Sequence, residues 1–155
     1  MQTDSFTIPL VGEARFDASH LHLHRLISAL AEAMGADLAN ALDALHRELS
    51  THFAQEDDEL RRLGTVENAC HLDEHAAVLR SLGEVDAELA CGNTAVVRRF
   101  AHAMRDWLPD HVQEMDLRLA RHLFRQRTGG ASIRIARNAM TGLALDKPHS
   151  ESIPC

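Results

Sequence analysis

The sequence predicts an all-α fold, an antiparallel up-down-up-down bundle of four helices, on three observations. Apolar residues recur at i, i+3 and i+4 through four long stretches, the period of a helix with one buried face. Turns marked by glycine separate the stretches. No segment alternates with period two for long enough to suggest a sheet. Short turns between long helices make sequence neighbours run antiparallel. The 155 residues, 45% of them hydrophobic, suffice for one compact domain with its own core.

Residues 1–16 contain Pro9 and Gly12 and lack a helical period, so they read as an extended arm whose Phe6, Ile8, Leu10 and Phe16 lie on the core. The helical domain is expected over residues 17–127. Asp17 or Ser19 caps a first helix that runs to about Met34, with Leu23, Leu26, Ile27 and Leu30 on one stripe. Gly35 breaks it. A second helix, Asp37 to Leu63, carries Leu38, Leu42, Leu45, Leu49, His52, Phe53, Glu56 and Leu60 inward, and Gly64 ends it. The third, Val66 to Ala90, presents Leu72, His75, Val78, Leu79, Leu82 and Val85, slightly weakened by Gly83. After the turn Cys91-Gly92-Asn93 comes a fourth helix, Thr94 to Arg127, with Val97, Phe100, Met104, Leu108, His111, Met115, Leu119 and Phe124 on its stripe. Pro109 lies inside it and bends or loosens the turn before it. Residues 128–155 form a C-terminal extension whose Ile133, Ile135, Met140, Leu143 and Leu145 are apolar enough to dock on the bundle. A protein partner or self-association through this extension is the expectation.

The formal charge of −7 comes from interspersed residues, 16 basic and 23 acidic, without a basic block for nucleic acid or a membrane surface. No apolar run approaches the ~20 residues of a membrane span, and the amino terminus has neither the basic start nor the apolar stretch of a secretion signal. The expected location is the cytoplasm. Cys70, Cys91 and Cys155 form no even framework, so reduced thiols are expected. Cys70 adjoins His71 but points ~100° away from it on a helix.

Each inward stripe carries groups that are costly to bury. Residues four apart in a helix lie ~40° apart around its axis, so His52 and Glu56 aim at a common point, as do His71 and His75. His20 on the first helix and His111 with an acidic neighbour on the fourth complete the set. Inward imidazoles and carboxylates cost desolvation unless they are hydrogen-bonded or bound to a cation. Five histidines and two carboxylates on four helices are more ligands than one metal ion needs. Ligand type alone accepts iron, manganese, cobalt or zinc. On the fourth helix geometry prefers Glu114 to Asp116 as the partner of His111, because five residues subtend ~140° on an ideal helix. His22, His46, His102, His122 and His149 lack partners at metal spacing and read as surface or supporting residues. Phe53 and Trp107 read as core that fences the metals from water.

The motifs Asp17-Ala18-Ser19-His20, His52-Phe53-Ala54-Gln55-Glu56, His71 to His75, and Trp107-Leu108-Pro109-Asp110-His111 followed by Asp116 resemble those of the hemerythrin family, especially its bacterial branch. The resemblance covers roughly residues 6 to 126. It implies a non-haem di-iron centre that binds dioxygen, and it selects Asp116 over Glu114. His71, His75 and His111 would hold one iron, His20 and His52 the other, with Glu56, Asp116 and an oxo or hydroxo group bridging them. Dioxygen would bind at the iron with two histidines. A site richer in neutral imidazole than in carboxylate also disfavours very high oxidation states, which favours reversible binding over oxygen cleavage. Two positions depart from the family pattern where apolar residues are usual. Glu59 lies within ~20° of the ligand stripe, and His24 stands one turn after His20. Either one coordinating at the open iron would favour the alternative function, a di-iron redox enzyme that reduces peroxide, oxidises iron or handles nitric oxide. Asp57 also replaces a glutamate usual after Glu56.

Overall fold

A computed structural model of the chain describes residues 7–130. Within them the helices are α1 (Ala14–Glu32), α2 (Asp37–Leu63), α3 (Val66–Ala90), α4 (Thr94–His111) and α5 (Leu117–Arg127). A π-helical turn, Val112–Asp116, joins α4 to α5, so these three make one long fourth rod. Each rod packs on the next and the fourth returns to the first, which closes the four-helix bundle. The apolar residues expected to dock the C-terminal extension, Ile133 to Leu145, lie outside the described residues. No helix among the described residues is long and apolar enough to cross a membrane.

The core is the set of stripes that the helical period marks. Leu23 and Ile27 of α1, Leu42, Leu45 and Leu49 of α2, Leu82 of α3 and Val97 and Leu108 of α4 are completely buried. Each fully buried aliphatic side chain of this size stabilises the fold by roughly 1.5–3 kcal/mol. The turns have equally local causes. Gly64 stops α2 in the left-handed region, φ 61°, and returns its N–H to the Leu60 carbonyl, a conformation that costs least without a Cβ.

Three expectations are corrected. The first helix starts at Ala14, with Glu13 as its extended cap residue, and neither Asp17 nor Ser19 caps it. Asp17 instead sits in the first turn, where its carboxylate accepts the backbone N–H groups of Val11 at 2.7 Å and Gly12 at 3.1 Å. Its acidity at the helix start is used to pin the arm. On that arm Leu10 is 69% exposed, while Phe16, now inside α1, is fully buried. At the far end of the chain Phe124 is 47% exposed and the inward residues of α5 are Leu119, Ala120 and Leu123. The π turn resets the stripe that a continuous α-helix would have carried to Phe124.

Candidate metal centre

All four rods send polar side chains into the middle of this apolar core. His20 comes from α1, His52 and Glu56 from α2, His71 and His75 from α3, and His111 and Asp116 from the fourth rod. None is more than 3% exposed. They fall into two groups whose ligand atoms all lie within 4.8 Å of one another: Glu56, His71, His75, His111 and Asp116 in one, His20, His52, Glu56 and Asp116 in the other. The two carboxylates belong to both groups. In the first group three imidazole edges converge, with His111 Nε2 at 3.2 Å from His71 Nε2 and 3.1 Å from His75 Nε2. Asp116 places Oδ1 at 3.0 Å from His71 Nε2 and 3.2 Å from His111 Nε2, and its other oxygen at 3.0 Å from His20 Nε2. Glu56 Oε2 stands 3.6 Å from His52 Nε2 and 3.5 Å from His75 Nε2.

The π turn decides which acid of the fourth rod enters. Leu117 donates its N–H to the Val112 carbonyl five residues back, so this turn closes after five residues rather than four. Residues five apart thereby reach one face, and Asp116 joins His111 while Glu114 faces outward, exposed. The preference of an ideal helix for Glu114 is overturned by this added residue. Pro109, two residues before His111, lies just ahead of the irregular turn.

The electrostatics are those of a cation site. Burial, and then the neighbouring His20, depress the His52 pKa to about 3. Burial with His71 and His111 takes His75 down to about 2. Both rings are thus neutral at ordinary pH, the form that can donate a lone pair to a metal. Burial and the adjacent Asp116 push Glu56 well above the carboxylate range. Burial opposes ionisation of Asp116 too, but the imidazoles of His111, His20 and His71 hold its carboxyl well below that range. Two carboxyls this close cannot share a dry core as anions without positive charge between them. Both nitrogens of His20 and of His52, and all four oxygens of Glu56 and Asp116, are buried without an aligned hydrogen bond, although Asp116 approaches His20 and His71 to 3.0 Å. Orphaned atoms of these types, gathered around two points, fit a pair of metal ions, which would satisfy the carboxylate oxygens and one nitrogen of each ring.

A surrounding layer orients the rings. Asp57 lies 2.8 Å from His75 Nδ1, and Glu74 2.8 Å from His111 Nδ1, the carboxylate–imidazole contact that leaves Nε2 free for a metal. Phe53 stacks on His75 with ring centres 4.0 Å apart, and Trp107 on His111 at 4.3 Å. Glu74 is not among the residues that the sequence marks. Its position three after His71 and one before His75 gave a signal, but its partner is on another rod. Glu59 and His24 belong to neither ligand group. The Glu59 carboxylate lies instead against Arg15 at 3.1 Å and Arg62 at 3.3 Å, and His24 is half-buried on α1. His46, expected as a surface or supporting residue, pairs with Asp86 at 3.2 Å.

Comparison with known proteins agrees with this geometry. The family model described as the hemerythrin HHE cation-binding domain matches residues 11–123. A bacteriohemerythrin of Ralstonia nicotianae is 35% identical over 106 residues, covering 68% of this chain and 77% of its own. A bacteriohemerythrin of Methylococcus capsulatus is 24% identical over 94 residues, 61% of this chain and 72% of its own. No solved structure gives a significant match.

Proposed function

The chain belongs to the hemerythrin HHE cation-binding family, and from that premise we propose that residues 17–127 hold two non-haem iron ions, with an oxo or hydroxo bridge, and bind dioxygen reversibly for storage, delivery or sensing in the cytoplasm. The observation that carries this reading is the pair of ligand groups sharing Glu56 and Asp116, one with three imidazoles and the other with two. The group poorer in imidazole, His20 with His52, is where an exchangeable ligand finds room. When bound, the iron pair supplies the electrons that hold dioxygen reversibly.

The chain's own residues prepare the site. Burial keeps His52 and His75 neutral, so their lone pairs remain available down to acid pH. Asp57 and Glu74 hold the protons of His75 and His111 on Nδ1 and turn Nε2 inward. Phe53 and Trp107 cover two of the rings and exclude water. Glu59 engages Arg15 and Arg62, and neither it nor His24 belongs to a ligand group, which supports oxygen binding over the redox-enzyme alternative.

The test is to load the protein with iron, reduce it without air, and add and then remove oxygen while following the visible spectrum. A charge-transfer band that appears with the gas and disappears with it is the expected result. Direct, irreversible conversion to the oxidised form would overturn the reversible reading in favour of redox enzymology.

A further inference from the structure

A cavity of about 370 Å³ lies outside the centre, between the end of α2, the start of α3 and the face of α5. His71, 3% exposed, is among the residues that line it. Leu60, Leu63, Met115 and Leu119 give it an apolar lining, and α5 sets Arg118, Arg121 and Arg125 along one side. The arginines recur at i, i+3 and i+7 and therefore share a helix face. Arg15, Arg47, Arg61, Arg62 and Arg127 each hold a carboxylate. Arg118, Arg121 and Arg125 have no such partner among the described residues, and none of these that line the cavity is acidic. All three are exposed and hold no carboxylate of their own among the described residues, so their guanidinium groups are available to an anion that enters the cavity. His71 adds a second irregularity. Carboxylates face the Nδ1 atoms of His75 and His111, whereas among the described residues the carboxylates near His71 approach only its Nε2.

We propose that this cavity binds a small organic carboxylate, its head group on the guanidiniums of Arg118, Arg121 and Arg125 and its apolar body on Leu60, Leu63, Met115 and Leu119. The volume is that of a small-molecule pocket, and guanidinium presents the planar fork that carboxylates match. The apolar lining selects against a bare inorganic ion, and the concave shape and the net charge of −7 select against a polyanion. A ligand held there lies beside His71.

Calorimetric titration of the full-length, metal-loaded protein with benzoate at fixed ionic strength tests this, and the arginine variants separate binding in the cavity from binding at the metals. Saturable benzoate binding is expected, with inorganic phosphate and butanol each binding at least about tenfold more weakly. The double variant Arg118→Gln/Arg121→Gln should weaken benzoate by about tenfold or more, and Leu63→Ser should weaken benzoate while leaving phosphate unchanged. Arg80→Gln, at an exposed arginine elsewhere on α3, should change nothing, and circular dichroism should show each variant folded. Absence of saturable heat overturns the proposal. An equal loss in Arg80→Gln, or phosphate binding as tightly as benzoate, overturns it as well by reducing the effect to net charge.

Discussion

At the scale of single residues the centre separates donors from their supports, and the two classes should fail differently. His52→Ala removes one of only two imidazoles from its group, and iron bound per chain should fall by about half or more in elemental analysis. Asp57→Asn or Glu74→Gln keeps every donor but loosens a ring, and metal affinity should drop by roughly 10–100-fold in a competition titration with the visible spectrum retained. The depressed histidines also set a pH dependence for the metal-free protein. His52 at about 3 and His75 at about 2 lie below their ordinary 6.5, so the unfolded chain binds more protons between these limits. Their contribution to stability is complete above pH 6.5 and is lost as pH falls from there towards 3. Glu56, raised by burial and Asp116, has the opposite sign, with a contribution present in acid and lost as pH rises through its folded pKa. Urea denaturation across pH 3 to 8 should therefore show a stability fall on the acid side that metal-free His52→Gln reduces. The convergence of His20, His52, Glu56, His71, His75 and His111 was legible in helical spacing, whereas Asp116 was legible only in the family motif, because ideal spacing prefers Glu114. Glu74 was legible in neither, since its role exists only once the fourth rod brings His111 to within 2.8 Å.

At the scale of elements the irregular turn of the fourth rod carries the most consequence. It brings in Asp116 and leaves Glu114 outside. Glu114→Ala should leave iron content unchanged, whereas Asp116→Ala should lose iron from both positions, because the Asp116 carboxylate belongs to both groups. Equal losses in the two variants would mean that the acids exchange places. The bounds of α2 and α3 were legible in full because Gly64 and the turn at Gly92 enforce them locally, each with positive φ. The start of α1 was not, because a caplike Asp17 has a competing use in binding the N–H groups of Val11 and Gly12. The π turn was not legible either. Pro109 announced an irregularity, but the placing of an extra residue after His111 is settled by what the packed rod must deliver to the centre.

At the scale of the whole molecule, two opposed demands meet in one core. The apolar stripes hold the bundle together, and the buried donors work against it until cations neutralise them. Removing the metal with a chelator after reduction should lower the thermal midpoint, and the shift should grow with the logarithm of free metal above the dissociation constant. Leu45→Ala, at a site with no exposure, should cost about 2–5 kcal/mol by urea denaturation and should be tolerated better by the loaded protein. The ion pair of Arg127 with Glu13, 114 positions apart in sequence, has a topological consequence. It places the beginning of the first rod beside the end of the last, so the order in which the rods are threaded is separable from the arrangement they reach. A circular permutant opened in the 91–93 turn and joined across residues 13 and 127 would keep every donor on its own rod, and its iron content should match that of the parent.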